Sequence, residues 1–223
     1  MGAIVAVDQN RPAQEAVERG AALLADGGVL VMPTDSVYGI GCAALAGNPA
    51  LRRIFSIKRR DRAQTLPWLV ADAADLEVYG ACVPAWAQRA AKALWPGALT
   101  LVVQASPEVP PEYRRPAAPG GRPTIALRCP GSNLVRELAR QVGVPLPTTS
   151  ANTHGLAAAT SGAGLEPRIV EAADLTFDAG PAPIAVASTI VDCTAGEPRV
   201  LRRGSVSPEE FLRAAGLSPE PGA

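Results

Sequence analysis

Apolar positions along this chain switch between a helical and a strand-like period, and the switches mark its elements. From Pro12 to Ala25 they recur at Ala16, Val17, Leu23 and Leu24, with Pro12 in the expected first turn and Gly27-Gly28 as the stop. Val29-Leu30-Val31-Met32 is apolar throughout, which predicts a short strand buried on both faces. The pattern then predicts a loop over Pro33 to Gly41, a helix over Pro49 to Ile57 and a strand over Leu66 to Ala71. Pro84 to Leu94 reads as a helix ended by Trp95-Pro96-Gly97. Leu99 to Gln104 and Thr124 to Arg128 read as strands flanking a connection with proline at 107, 110, 111, 116, 119 and 123. Asn133 to Val142 is an amphipathic helix with Ser132 or Asn133 as its cap and Gly143 at its end. Strands are expected at Asp174 to Asp178, Val186 to Asp192 and Pro198 to Leu201, and a last helix runs from Ser207 to Ala215. Helices alternating with short apolar strands predict an α/β fold. The proline-rich connection is read as a long surface loop over one domain, residues 1–217, with 218–223 as a frayed tail.

Composition narrows the classes. The 223 residues are 48% hydrophobic, enough for a core without disulfide or metal staples. Basic and acidic residues balance at 21 each, which disfavours a globally basic nucleic-acid binder but not a local basic cleft. No apolar run approaches the ~20 residues that span a bilayer, and Met1 to Arg11 lacks the pattern of a secretory leader. Cys42, Cys82, Cys129 and Cys193 lie far apart and are read as reduced thiols of a cytoplasmic protein. There is no P-loop, no G-x-G-x-x-G after a strand and no G-x-S-x-G. His154 is the sole histidine, which excludes multi-histidine metal sites. Trp68, Trp86 and Trp95 are expected in the core.

Four segments carry groups suited to chemistry. Pro33-Thr34-Asp35-Ser36-Val37-Tyr38-Gly39-Ile40-Gly41 follows a buried strand, where α/β proteins collect ligands; it equally suits an ordinary glycine-rich turn. Lys58-Arg59-Arg60-Asp61-Arg62 puts four cations in five positions, either a solvated helix end or a clamp for a triphosphate or carboxylate. Only Lys58 and Lys92 are lysine in an arginine-rich chain. Thr148-Thr149-Ser150-Ala151-Asn152 can bind phosphate or hydroxyls, or cap the next element. Ser188-Thr189-Ile190-Val191-Asp192, followed by Arg202-Arg203-Gly204, alternates like a half-buried strand.

Taken in order, these segments resemble the YrdC-like family, the threonylcarbamoyl-AMP synthases. The likeness rests on Pro33 to Gly41, Lys58-Arg59-Arg60, Trp95-Pro96-Gly97-Ala98-Leu99-Thr100, Arg128-Cys129-Pro130, Ser150-Ala151-Asn152, Ser188 to Asp192 and Arg202 to Gly204. It implies a twisted mixed sheet flanked by helices around a concave, positively charged cleft. The implied reaction converts L-threonine, bicarbonate and ATP to threonylcarbamoyl-AMP and pyrophosphate. A separate tRNA transferase complex then takes the product, with magnesium entering on the nucleotide; the balanced charge of the chain separately predicts weak tRNA binding. By position, Thr34, Arg128, Thr148 and Ser188 correspond to threonine contacts. Lys58, Arg60, Thr124, Ser150, Asn152 and Arg202 correspond to ATP contacts, with Lys58 and Arg60 also catalytic. The chain departs from the family pattern at Asp61, Gln64, Thr149, His154 and Ala158. Those departures motivate the alternative of a paralogue that binds nucleotide or RNA without making the adenylate. Lys58 and Arg60 are expected to face the cleft as solvated cations, with the helix ending at or before Lys58 and Arg59 exposed.

Overall fold

A computed structural model describes residues 3–59, 66–116 and 121–218. Its centre is one mixed eleven-stranded sheet. The strands are β1 (Ala3–Ala6), β2 (Leu30–Met32), β3 (Gly39–Gly41), β4 (Trp68–Leu69), β5 (Gly80–Ala81), β6 (Leu99–Ala105), β7 (Thr124–Arg128), β8 (Leu146–Ser150), β9 (Leu175–Asp178), β10 (Thr189–Asp192) and β11 (Arg199–Arg202). They lie in the order β1-β9-β2-β3-β8-β4-β7-β6-β10-β11, with β5 paired to β6. The helices are α1 (Gln14–Ala25), α2 (Pro49–Lys58), α3 (Asp75–Tyr79), α4 (Ala85–Leu94), α5 (Asn133–Val142), α6 (Pro167–Ala172) and α7 (Pro208–Ala215).

Side-chain alternation distributes three apolar clusters over the sheet. Leu30 and Met32 pack with Leu24, Leu138 and Phe177 under α1 and α5. Val31 and Ile40 pack with Ile54 and Ile169 under α2 and α6. Leu99, Leu101, Val103, Ile125, Leu127 and Val191 form the largest cluster with Trp68, Trp86, Trp95 and Phe211, under α4 and α7. The intervening residues of β6, β7 and β10 face the other way, into the functional site.

The expected elements recur with shifted ends. The helix read from Pro12 starts at Gln14, because Ala13 stays extended ahead of it. Within the expected loop Pro33 to Gly41, the last three residues pair antiparallel with β2. The strand read over Leu66 to Ala71 contracts to Trp68–Leu69, parallel to β7 and antiparallel to β8. The apolar pattern does not predict β1, β5, α3 or α6; all are short, from two to six residues. The proline-rich connection is anchored where Tyr113, 3% exposed, donates its hydroxyl to Leu45 O at 2.9 Å. Ser218 is the last described residue, so most of the expected tail lies outside the described chain.

Candidate functional site

The face of β6, β7 and β10 turned away from the apolar cluster borders a cavity of about 610 Å³, within the range of small-ligand sites. Thr124, Ala126 and Arg128 of β7, Thr100 and Val102 of β6, and Ser188 and Ile190 beside and on β10 all reach it. Thr34, Ser36, Thr148, Ser150, Asn152 and Arg202 close the polar wall. Eight of the ten expected site residues are thus brought together: Thr34, Arg128, Thr148, Ser188, Thr124, Ser150, Asn152 and Arg202. Arg60 lies outside the described residues, as do Asp61, Arg62 and Gln64.

Lys58 is placed differently from the expectation. It ends α2 and is 2% exposed, not a solvated cation, and it is not among the residues lining the cavity. Its Nζ donates to Ser150 O at 2.5 Å, to Asn152 O at 2.6 Å and to Asn152 Oδ1 at 3.2 Å. The ammonium therefore grips from beneath the strand end that carries the polar wall. Arg59 is exposed as expected and adopts the left-handed conformation that stops the helix (φ 53°).

Arg128 is buried and locked. Its Nη2 meets Asp35 Oδ1 at 2.6 Å, Nη1 donates to Ser36 Oγ at 2.7 Å and Nε to Gly97 O at 2.9 Å. The last of these gives the Trp95-Pro96-Gly97 turn a purpose: its carbonyl fixes the guanidinium. Burial pulls the Arg128 pKa down, and the Asp35 carboxylate opposes that pull. Thr34 Oγ1 donates to Val37 O at 2.7 Å and accepts from Ser36 N at 3.1 Å, holding the turn that presents Ser36.

At the opposite wall Arg202 donates through Nε and Nη2 to Ser188 O, and through Nη2 to Ser188 Oγ at 3.0 Å. Ser188 Oγ also shares a 2.8 Å hydrogen bond with Thr100 Oγ1. Burial first, and the positive charge of Arg128 second, lower the Arg202 pKa. A Cβ at Gly204 would collide with Ala187 O and stand 2.5 Å from Thr189 N, so the glycine of Arg202-Arg203-Gly204 lets β11 fold back onto the Ser188 segment.

The two glycines after Tyr38 serve the sheet. A Cβ at Gly39 would lie 2.6 Å from Thr148 Cγ2, and one at Gly41 2.5 Å from Thr148 Oγ1. Their absence seats Thr148 across the β3–β8 pair.

Sequence reasoning missed Arg115 as a lining residue. Its placement depends on an antiparallel bridge to Thr124 that no local pattern announces. Ala158 presents a methyl to the cavity where the resemblance expects a hydroxyl. Of the described lining residues three are arginine and none is Asp or Glu. Among the described residues no group of three His, Cys, Asp or Glu could hold a metal ion.

Fold and site define an α/β protein whose sheet carries a polar, arginine-bearing cavity on one face. The Sua5/YciO/YrdC family model, described as "Telomere recombination", matches residues 22–204. The chain belongs to that family. A Mycobacterium leprae protein is 37% identical over 198 residues, covering 89% of this chain and 87% of that protein. The Bacillus subtilis threonylcarbamoyl-AMP synthase is 31% identical over 200 residues, covering 90% of this chain and 56% of that enzyme. The structure of P. abyssi Sua5 complexed with L-threonine superposes with a TM-score of 0.84 at 32% identity, covering 96% of this chain and 61% of that one. The chain thus spans little more than half the length of the latter two relatives. No described helix is long and apolar enough to cross a membrane.

Proposed function

We propose that this chain is a threonylcarbamoyl-AMP synthase, converting L-threonine, bicarbonate and ATP to threonylcarbamoyl-AMP, pyrophosphate and water. The observation that carries the reading is the convergence of eight expected contact residues on one cavity whose described lining holds three arginines and no carboxylate. The threonine complex of the P. abyssi relative supports the amino-acid substrate. The relatives' names favour the synthase over a paralogue that only binds nucleotide or RNA.

In this reading Arg128, held rigid by Asp35, Ser36 and Gly97, takes the threonine carboxylate as a preorganised charge. Thr34, Thr148 and Ser188 position the amino acid around it. The threonine amine attacks the carbon of bicarbonate, and water leaves. The carbamate oxygen so formed attacks the α-phosphorus of ATP, and the bond to pyrophosphate breaks. Positioning and charge neutralisation carry this chemistry, without a histidine base. Arg202, Thr124, Ser150 and Asn152 receive the nucleotide; Lys58 acts on that side through the backbone it holds, and Arg60 belongs there by resemblance. Burial and the positive charge of Arg128 disfavour the charged form of Arg202, so an anionic ligand beside Arg202 offsets that cost. Magnesium accompanies the phosphates of the nucleotide. With equal basic and acidic counts, tRNA binding is weak at physiological salt, and transfer onto tRNA falls to a separate complex in the cytoplasm.

The test is pyrophosphate release from ATP by the purified protein, with L-threonine and bicarbonate omitted in turn. Release must need both; equal turnover without threonine would mean a plain nucleotide hydrolase.

A further inference from the structure

Among the described residues three arginines line the cavity, and two of them are hydrogen-bonded within the protein. Arg128 is bound by Asp35, Ser36 and Gly97, and Arg202 by Ser188. Arg115 differs. Its backbone is fixed by a pair of hydrogen bonds with Thr124, at 2.8 and 3.1 Å. Its side chain has no hydrogen bond or ion pair among the described residues.

The connector that delivers it is built for placement. Pro111–Tyr113 form a single tight turn with Tyr113 buried. Arg114 donates from Nε to Val109 O at 2.6 Å and from Nη2 to Pro107 O at 3.1 Å, closing the loop on itself. The next residue is thereby set against the start of β7. Along β7, Thr124 and Arg128 lie four residues apart, on the order of 13 Å at ~3.3 Å per residue. Arg115 therefore stands at the far end of the cavity from the carboxylate-binding arginine. A guanidinium fixed at its backbone, lining a cavity whose described residues include no carboxylate, has its complement in an anion the ligand brings.

We infer that Arg115 binds the polyphosphate tail of ATP, contacting the β- and γ-phosphates that leave as pyrophosphate. The inference rests on the synthase reading and names a residue that none of the sequence motifs contains.

The experiment compares the intact protein with Arg115→Ala and with Arg122→Ala, an exposed arginine on the same connection that does not line the cavity. Binding of ATP, AMP and inorganic pyrophosphate is measured for each by calorimetry, alongside the thermal midpoint. Without its charge-assisted hydrogen bond to phosphate, Arg115→Ala should bind ATP and pyrophosphate roughly ten- to hundred-fold more weakly, and AMP by less than about two-fold. The midpoint should hold, because only backbone atoms make the bridge. An equal weakening for AMP would overturn the inference, since Arg115 would then hold the nucleoside. Unchanged ATP binding, or the same weakening in Arg122→Ala, would overturn it too. Failure of the synthase reading would show separately, as unmutated protein that binds ATP without threonine-dependent pyrophosphate release.

Discussion

Replacing Lys58 by methionine keeps most of its buried stem and removes the ammonium. Asn152 O and Asn152 Oδ1, held at 2.6 and 3.2 Å, then lose that donor beneath the cavity wall, while Ser150 O keeps Asn152 N at 3.0 Å. A buried acceptor left unmade costs about 1–3 kcal/mol, so two cost about 2–6 kcal/mol. Sparing the ammonium its own desolvation offsets part of this and leaves roughly 2–4 kcal/mol. At ~2–4 °C per kcal/mol for a domain of this size, the thermal midpoint should fall by about 5–15 °C. Arg59→Ala, one residue on and exposed, should stay within ~0.5 kcal/mol. Urea unfolding with an unchanged slope gives the free-energy difference directly. Below the transition, the ATP KM of Lys58→Met should rise, because Ser150 and Asn152 no longer have the group that fixes their backbone. A Lys58→Met midpoint indistinguishable from that of unmutated protein, with ATP use abolished, would refute the reasoning. Lys58 would then be a solvated cation reaching for phosphate.

Gly41→Ala puts a methyl 2.5 Å from Thr148 Oγ1 and 2.8 Å from Pro147 O, and should cost about 1–3 kcal/mol; an unchanged urea midpoint would show that β3 and β8 have room to spare. Asp35→Asn strands the Arg128 guanidinium, whose side chain is 7% exposed, and should cost about 3–5 kcal/mol and weaken threonine binding; native stability in that variant would deny the ion pair its role. Asp174 accepts from Arg53 and from Val29 N, and Arg53 above all holds its carboxyl below the usual value of 3.8. Its stabilisation is therefore complete above about pH 4 and is lost as pH falls through the lower folded value. The stability gap between Asp174→Asn and the unmutated chain should shrink on acidification from about pH 5 to 3, and a constant gap would rule out the linkage.

Much of the sheet was legible because burial writes itself into short apolar runs. Leu30–Met32 is buried throughout, and Thr124–Arg128 and Asn133–Val142 occur with the bounds their periodicity predicts. The shortest elements were not legible, since a two-residue strand such as Gly80–Ala81 is defined by its partner on β6, about twenty-five positions on. The same distinction divides the site. Motif order identified the eight residues that gather at the cavity. It could not reveal that Lys58 turns to two carbonyls about ninety positions away, nor that Arg115 is recruited through Thr124. Both facts are products of the fold.

The alternation of β6, β7 and β10 sets the chemistry of the cavity as firmly as any single hydrogen bond. On β7, Ile125 and Leu127 enter the apolar cluster while Thr124, Ala126 and Arg128 face the cavity. On β6, Leu99, Leu101 and Val103 do the same against Thr100 and Val102. Because side chains repeat every two residues, a one-residue slip would drive Arg128 into the cluster and Leu127 into the cavity. The apolar face under α4 and α7 therefore enforces the register that aims Arg128 into the cavity. Hydrogen bonds reinforce that aim from two separate segments: Asp35 and Ser36 before β3, and Gly97 before β6. A guanidinium fixed by register and by three partners keeps its geometry before any ligand arrives, which is what charge stabilisation without an acid–base pair requires.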